Sequence, residues 1–269
     1  MKRSIIRFLK KYINRFSSKN KMHRGDVIIY SKWEDAFSAS MDGYTSNSIL
    51  ERVKQSLLKV KNGEAVYERD SVIFNTIQYS WPILACLMWI ASQKNNTLSI
   101  LDYGGSLGSA YFQNYKFLRT LDHLQWSIIE QDQFVECGKK YFENAELRFY
   151  HNLSSCLSEQ MPHAILLSGV LQYIESPYAI LEDIIKCGFE YILIDRTAFA
   201  LDGCEVLTLY KVPPEIYQAQ FPMWYFNYEK FKTILLKHYE LIEEFDAIDK
   251  VEYPSFFKGF TFRKNLKGC

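Results

Sequence analysis

The chain has 269 residues, of which 48% are hydrophobic and 16% aromatic, enough for one large core or for a core with a small appendage. The formal net charge of +1 is distributed unevenly along the chain. Residues 1–24 carry nine Lys or Arg and no acid, which leaves a net charge of −8 on the rest. A body with this acidic balance is not expected to bind nucleic acid.

Cysteine usage and hydropathy indicate a cytoplasmic protein. There is no CxxC pair and no Cys/His pair at metal-ligand spacing among the six cysteines, which are typical of reduced, mostly buried residues, so we expect no metal. No apolar stretch reaches the roughly 18–20 residues that cross a bilayer. The longest candidate, 80–91, predicts a buried helix.

Residues 1–24 form a basic amphipathic pattern. Its apolar residues recur at the spacing of one helical face, at Ile5, Leu9, Tyr12, Ile13 and Phe16. Such an arm is typical of peripheral contact with an anionic membrane, but a solvated arm or a helix docked on a partner fits equally. Charges interrupt every apolar run, so the segment does not match a secretory signal.

The residue pattern of the next segment, 25–97, indicates a helical cap or lid, with breaks at Asp42-Gly43 and Asn62-Gly63. We expect a helix over 71–91, with Asp70 or Ser71 as its N-cap. Directly before it stands the tetrapeptide YERD at 67–70, which could fold over a ligand.

From Leu98 onward, short apolar runs alternate with helical stretches. The predicted strands are 98–103, 126–130, 147–150, 164–169 and 191–195. This alternation indicates βαβ units and a parallel sheet covered on both faces, in a domain over 98–269. A Pro- and aromatic-rich segment follows at 212–226, then a helix at 228–238 and two strand-like runs at 239–247 and 256–264.

The turn after the first of these strands is rich in glycine, and it reads LDYGGSLGSAYF from Leu101. In an open parallel sheet, ligands bind beyond the carboxyl ends of the strands, where strand order reverses. Gly104, Gly105 and Gly108 would let the backbone turn tightly and approach a ligand closely. The alternative is a turn made only for close strand-to-helix packing.

Glu130 ends the second predicted strand, where an acid can accept hydrogen bonds from both ribose hydroxyls of a nucleoside. A solvated acid at a helix start is the alternative. The turn itself reads D-x-G-x-x-x-G, so it lacks the G-x-G-x-x-G frame of a dinucleotide site. A nicotinamide-dependent sugar oxidoreductase is therefore the less favoured interpretation.

The turn resembles the first motif of class I S-adenosylmethionine-dependent methyltransferases, with Ser106 where the usual form has Gly. Further segments extend the resemblance from about Trp33 to the C-terminus: GEAVYERDSVIFN, VLQYIESPY, IDRTAF and VPPEIYQAQFPMW. Together they resemble a family of bacterial methyltransferases associated with surface-polysaccharide gene clusters. The resemblance implies a Rossmann-like α/β sheet of seven strands, mostly parallel with an antiparallel strand near one edge, and a helical N-terminal extension.

The resemblance also implies S-adenosylmethionine as the cofactor and roles for particular residues. The methionine end would lie against Asp102, Gly104, Gly105, Ser106 and Gly108, the ribose against Glu130, and adenine near Asn152. Ser168 and Gly169, at the end of the fourth strand, would lie beneath the reacting methyl group.

Methyl transfer is an in-line displacement that needs a held acceptor and, for some acceptors, a base. Of the five histidines, only His151 follows a strand on the cofactor side, and it would lie nearer adenine. The catalytic candidates are therefore Asp195, Arg196, Glu68 and Asp70, and their alternative roles are ion pairs or caps.

The acceptor candidates offer hydrogen bonds and flat apolar faces, as a sugar ring requires. They are Tyr67, Arg69, Gln172, Tyr173, Tyr217 and Trp224. SGVLQY after the fourth strand lacks the Asp/Asn-Pro-Pro-aromatic motif of amino-methylating DNA enzymes. We therefore expect O-methylation of a glycan or a nucleotide- or lipid-linked sugar. A catalytically silent nucleoside-binding module of a polysaccharide assembly complex is the alternative.

Overall fold

The structure, a computed structural model, describes residues 27–40, 47–212, 219–249, 251 and 253–265. The basic arm over 1–24 and Tyr217 lie outside the described residues, so the roles expected of them remain predictions. Within the described ranges, no helix is both long enough and apolar enough to cross a membrane.

Strands and helices alternate along most of the described chain. The strands are β1 (Ile29–Tyr30), β2 (Tyr67–Arg69), β3 (Val72–Phe74), β4 (Thr97–Tyr103), β5 (His123–Ile129), β6 (Leu147–Tyr150), β7 (Ala164–Ser168), β8 (Tyr191–Ala200), β9 (Val206–Lys211), β10 (Gln220–Tyr225), β11 (Tyr239–Asp246) and β12 (Ser255–Lys264). The helices are α1 (Trp33–Ala39), α2 (Asn47–Lys61), α3 (Trp81–Gln93), α4 (Ser109–Leu118), α5 (Asp132–Tyr141), α6 (Leu153–Glu159), α7 (Pro177–Cys187) and α8 (Tyr228–Leu236). A short 3₁₀ helix spans Leu171–Tyr173.

The central sheet has seven strands in the order β11-β12-β8-β7-β4-β5-β6. Strands β4 to β8 pair in parallel, whereas β12 pairs antiparallel with both β8 and β11. This confirms the expected Rossmann-like sheet, mostly parallel with an antiparallel strand near one edge. Because β4 lies between β5 and β7, the chain first winds to one side of β4 and later returns to the other. The crevice beyond its carboxyl end is therefore the topological switch point.

Helices cover both faces of this sheet. Buried residues of α2 to α5 pack against one face, and those of α6 to α8 pack against the other. Consecutive residues of β4 face opposite sides, since Ile100 belongs to the first cluster and Leu101 to the second. This explains why the central strands are continuously apolar, and it makes the N-terminal helices α2 and α3 part of the main core.

The segment around YERD differs from the sequence prediction. Residues 67–74 form a two-stranded antiparallel hairpin, with Arg69 paired to Val72. Asp70 and Ser71 are its turn, with φ values of 51° and 68°, the left-handed pair that closes a two-residue hairpin. The expected helix over 71–91, capped by Asp70 or Ser71, is wrong. The helix starts at Trp81, because Pro82 lacks a backbone N–H and fits only the first turn.

A second difference is a small antiparallel sheet of β1, β9 and β10. The sequence indicated only a Pro- and aromatic-rich segment at 212–226, because Pro222 weakens the strand signal. In the structure Pro222 lies in β10, opposite Leu209, on an edge strand of the small sheet. A proline is tolerated there because an edge strand does not need every N–H for pairing.

The hairpin turn yields a test of stability. Ser71 has a φ of 68°, a conformation that costs an L-residue about 1–2 kcal/mol and glycine much less. We expect Ser71→Gly to raise the free energy of unfolding by roughly 0.5–1 kcal/mol in urea denaturation. Ser154→Gly on α6 is the control, and it should lower stability because glycine is a poor helix former. A loss of stability in Ser71→Gly would contradict the turn geometry.

Candidate functional site

The glycine turn joins β4 to α4 at the switch point. Its backbone is left-handed at three positions, with φ values of 73° at Gly104, 54° at Ser106 and 103° at Gly108. Ser106 therefore stands in a conformation that glycine adopts more easily, which explains why the related motif usually has Gly there. Residues 103–106 are partly exposed, so this part of the main chain is accessible.

Gly104 and Gly105 are required by close packing within the protein. A Cβ on Gly104 would lie 2.4 Å from Val170 Cγ2, and a Cβ on Gly105 would lie 2.5 Å from Asp102 Cγ. A side chain at Gly105 would thus collide with β4, and a side chain at Gly104 would collide with the segment after β7. From the sequence, these glycines were expected to make room for a ligand, whereas the structure shows close packing beneath the turn.

Asp102 forms the floor of the turn. Its side chain is buried, and its Oδ2 accepts a hydrogen bond of 3.1 Å from Trp126 Nε1 on β5. Burial raises the pKa of Asp102 to about 7, because the charged form is poorly solvated there. Trp126 was not identified from the sequence, since a tryptophan in an apolar strand carries no signal of its polar contact.

Glu130 follows β5 and faces the turn. Its Oε1 accepts a hydrogen bond of 3.2 Å from the Ser106 N–H, and its Oε2 accepts one of 2.8 Å from the Gln131 N–H. Burial raises the pKa of Glu130. An ionised carboxylate can accept about four hydrogen bonds, so capacity remains for two donors of a ligand.

The end of β7 lies beside the turn, and the middle of β8 lies next to it. Ser168 pairs with Asp195 in the sheet, and both Ser168 and Gly169 are partly exposed. The Gly169 N–H donates to the backbone oxygen of Asp195 at 2.9 Å. The carboxyl ends of β4 and β7 thus meet the middle of β8, because β8 continues past Asp195 to Ala200, beyond the 191–195 expected from the sequence.

A β-bulge interrupts the middle of β8. The pairing with β12 passes from Thr197–Lys258 to Ile194–Phe260, so Asp195 and Arg196 lie opposite a single residue. Arg196 has a φ of 55°, and its N–H donates to Asp195 Oδ1 at 3.0 Å. Bulges of this kind redirect side chains at sheet ends. Asp195 is buried, and burial raises its pKa to about 6.

The Arg196 guanidinium joins three parts of the chain. It donates to both carboxylate oxygens of Asp249, at 2.9 and 3.0 Å, and to Asp70 Oδ2 of the hairpin turn at 3.2 Å. Burial alone would raise the pKa of Asp249, but the charge of Arg196 lowers it below its usual value. Asp249 was missed in the sequence analysis because it lies in a loop without a motif.

The hairpin covers the start of α4. Glu68 is 2% exposed, and its carboxylate accepts hydrogen bonds from the Ser71 N–H at 2.6 Å and from Ser109 Oγ at 2.7 Å. Tyr67 Oη accepts a hydrogen bond from Gln113 Nε2 at 3.1 Å. The guanidinium of Arg69 lies over the Phe74 ring, 5.8 Å from its centroid. Its Nη1 is buried and has no hydrogen-bond partner.

The acceptor candidates after β7 pack against the small sheet. Gln172 is buried, its Nε2 donates to the Arg196 backbone oxygen at 2.9 Å, and its Oε1 has no hydrogen-bond partner. Tyr173 contacts Phe221 edge to face, with ring centroids 5.1 Å apart. Gln172 is therefore held by the residue that directly follows Asp195.

Trp224 lies in a separate open cleft beside these residues. Its ring stacks with that of Trp33, with centroids 6.4 Å apart, and Trp33 was not identified from the sequence. The two tryptophans line a cleft of about 600 Å³ together with Glu175 and Ser176. A second cleft of about 260 Å³ adjoins it and includes Tyr178.

The side chain of Asn152 makes a structural hydrogen bond. Its Oδ1 accepts a hydrogen bond of 2.9 Å from the Ser155 N–H and caps α6, while the residue itself is exposed. His151 Nδ1 lies 2.8 Å from Asp132 Oδ1 on α5. Among the residues that the structure describes, no group of three or more His, Cys, Asp or Glu could hold a metal ion.

Neither a family model nor a curated protein matches this sequence. Among solved structures, the chain is similar to a Burkholderia thailandensis 1,6-didemethyltoxoflavin-N1-methyltransferase with S-adenosylhomocysteine bound, at 14% identity over 81% of this chain and 89% of that one, with a TM-score of 0.44. It is also similar to the N-terminal domain of EvdMO1 in the presence of S-adenosylhomocysteine and D-fucose, at 14% identity over 80% and 97%, with a TM-score of 0.47.

A third similar structure is the glycopeptide N-methyltransferase MtfA with sinefungin, at 9% identity over 68% of this chain and 94% of that one, with a TM-score of 0.47. These TM-scores lie below 0.5, so the similarities support no functional conclusion by themselves.

The close packing under the turn can be measured with two glycines of matched backbone. Gly104 and Gly203 have φ values of 73° and 71°, but a Cβ added at Gly203 would meet no atom within 4 Å. Both Ala variants should suffer the left-handed cost of about 1–2 kcal/mol. Gly104→Ala should cost about 1–3 kcal/mol more because of overpacking against Val170. Equal losses in urea denaturation would argue against that contact.

Burial of Asp102 predicts a pH-dependent stability. Its pKa rises from 3.8 to about 7 on folding, so the folded state binds the proton more tightly and stability falls as pH rises through this range. Asp102→Asn removes the titration. We expect wild type to lose stability relative to this variant between pH 5 and 8, by at most about 1.4 kcal/mol per pH unit. The exposed Asp122→Asn is the control, and a pH-independent difference for Asp102→Asn would refute the prediction.

Proposed function

We propose that the protein is an S-adenosylmethionine-dependent methyltransferase that methylates a hydroxyl group of a glycan or of a nucleotide- or lipid-linked sugar. The observation that carries the cofactor proposal is the contact between Glu130 and the glycine turn. Its carboxylate accepts the Ser106 N–H at the switch point of the sheet, where nucleoside ligands of such folds bind.

The residues present fit this cofactor. Glu130 retains acceptor capacity for the two ribose hydroxyls. The accessible backbone of 103–106 would lie along the methionine end, above the buried Asp102. Ser168 and Gly169 would lie beneath the sulfonium, and Asn152, at the end of β6, would lie at the adenine side. When bound, S-adenosylmethionine supplies the methyl group that is transferred.

Asp195 is the group placed to remove a proton from an acceptor hydroxyl. It lies in the middle of β8 beside Ser168, and its pKa of about 6 leaves it mostly ionised at neutral pH. The Arg196 N–H holds one carboxylate oxygen, which fixes the orientation of the side chain. A base with a pKa near the working pH is suited to general base catalysis. Arg196 and Asp70 would position Asp195 and the hairpin, without contacting the acceptor.

Two observations support the acceptor class, namely the charges around Asp195 and the separate aromatic cleft of Trp33 and Trp224. Four carboxylates and two guanidinium groups gather there, namely Glu68, Asp70, Asp195, Asp249, Arg69 and Arg196. This acidic excess disfavours a phosphate at the reacting centre. The cleft of Trp224 and Trp33 offers flat apolar faces with carboxylates at the rim, which suits an uncharged sugar ring. A nucleotide or lipid carrier would lie further out.

The cofactor proposal is tested by isothermal titration with S-adenosylmethionine and S-adenosylhomocysteine. We expect wild type to bind both ligands and Glu130→Ala to bind them at least about tenfold more weakly, because two charge-assisted hydrogen bonds are lost. The exposed Glu182→Ala on α7 is the matched control and should bind like wild type. If wild type bound neither ligand, the proposal would be wrong.

The base is tested by release of S-adenosylhomocysteine during incubation with cell-envelope glycan fractions. Asp195→Asn should reduce this turnover by about 100-fold or more, since general base catalysis typically contributes 100- to 10,000-fold, while binding of S-adenosylhomocysteine should persist. Full turnover would exclude Asp195 as the base. Binding by wild type without any turnover would instead favour a catalytically silent module.

A further inference from the structure

Glu68 is a buried carboxylate without a counterion. It is 2% exposed, and its two hydrogen bonds come from the uncharged Ser71 N–H and Ser109 hydroxyl. Among the ion pairs formed by the described residues, none includes Glu68. The nearby Arg196 is already engaged by Asp249 and Asp70.

A buried charge of this kind calls for a cation. Charged groups in protein interiors are paired or coordinated, because an unpaired one is strongly destabilising. Burial also raises the pKa of Glu68 to about 7, and its hydrogen bonds and the charge of Arg196 offset this only in part. The start of α4 supplies only the partial positive charge of a helix N-terminus. A ligand cation would complete the pairing.

The position of Glu68 identifies which cation this would be. Its partner Ser109 directly follows Gly108, the last glycine of the turn. Asp102, also buried and also without an ion pair in the described part of the chain, lies beneath Gly105 of the same turn. Two carboxylates thus flank the segment against which the methionine end of the cofactor would lie, whereas the sulfonium would lie further on, over Ser168 and Gly169.

We infer that Glu68 of the β2–β3 hairpin receives the α-ammonium group of the cofactor, so that the hairpin selects ligands that carry an amino-acid end. This inference rests on the proposed function. It assigns Glu68 to cofactor recognition, in place of the catalytic role considered from the sequence. It also explains why YERD forms a hairpin docked on α4, since that packing brings a buried carboxylate to the turn.

Three adenosyl ligands separate the possible contacts. S-adenosylmethionine carries both an ammonium and a sulfonium, S-adenosylhomocysteine carries only the ammonium, and 5′-methylthioadenosine carries neither. Glu68→Gln removes the charge but keeps the size of the side chain. In isothermal titration at pH 7.5, we expect this variant to bind the first two ligands about 10- to 100-fold more weakly than wild type. Its affinity for 5′-methylthioadenosine should change less than threefold.

Ser109→Ala is the matched control for a merely structural role. It removes the hydroxyl that holds Glu68 but leaves the carboxylate in place. If Glu68 only fixed the hairpin, Ser109→Ala and Glu68→Gln would weaken all three ligands alike. We expect Ser109→Ala instead to retain most of the wild-type preference for S-adenosylhomocysteine over 5′-methylthioadenosine.

Each remaining outcome is decisive. If Glu68→Gln lost affinity only for S-adenosylmethionine, Glu68 would lie at the sulfonium. If it lost affinity equally for all three ligands, the role of Glu68 would be structural. Either result overturns the inference. Unchanged binding overturns it as well. If wild type bound none of the three, the proposed function itself would fail. Should circular dichroism show Glu68→Gln to be unfolded, Glu68→Asp, which shortens the carboxylate by one methylene, must still weaken S-adenosylhomocysteine more than 5′-methylthioadenosine.

Discussion

The arrangement of the candidate site depends on Arg196, which the bulge in β8 holds in a left-handed conformation. Its N–H fixes the carboxylate of Asp195, and its backbone oxygen fixes the amide of Gln172. Its guanidinium meanwhile binds Asp249 from the segment between β11 and β12 and Asp70 from the hairpin. One residue thus connects the sheet edge, the hairpin and that segment.

Electrostatically, the site is rich in carboxylic acids that are buried or, for Glu130, partly buried. Burial raises the pKa of four of them, namely Glu68, Asp102, Glu130 and Asp195. Burying carboxylates away from water destabilises the folded protein near neutral pH. Such a cost is tolerated at functional sites, where a bound ligand can offset it. A cofactor with an ammonium, a sulfonium and two ribose hydroxyls offers the cations and donors that these groups lack. The surroundings also favour an acceptor that donates hydrogen bonds over one that brings a phosphate.

Two additions to the sheet build the walls of this site. The hairpin precedes the first strand of the central sheet in sequence, and the small sheet combines β1, near the start of the described chain, with β9 and β10, which follow β8. Through Tyr173 and Phe221, the small sheet packs on the segment that follows β7.

Local patterns predicted the parallel strands and most of the helices, because continuous apolar strands and helical periodicity reflect burial within a single element. The antiparallel strand near the edge was implied by the family resemblance. Local patterns also placed Asp102, Glu130 and the glycine turn at one edge, since the ends of parallel strands must meet. They failed for the hairpin, where Asp70 and Ser71 adopt left-handed backbone that neither residue type requires. The contacts of Trp126, Trp33 and Asp249, and the packing of Gly104 against Val170, join segments far apart in the chain. Only tertiary packing brings such partners together, so no local spacing could reveal them.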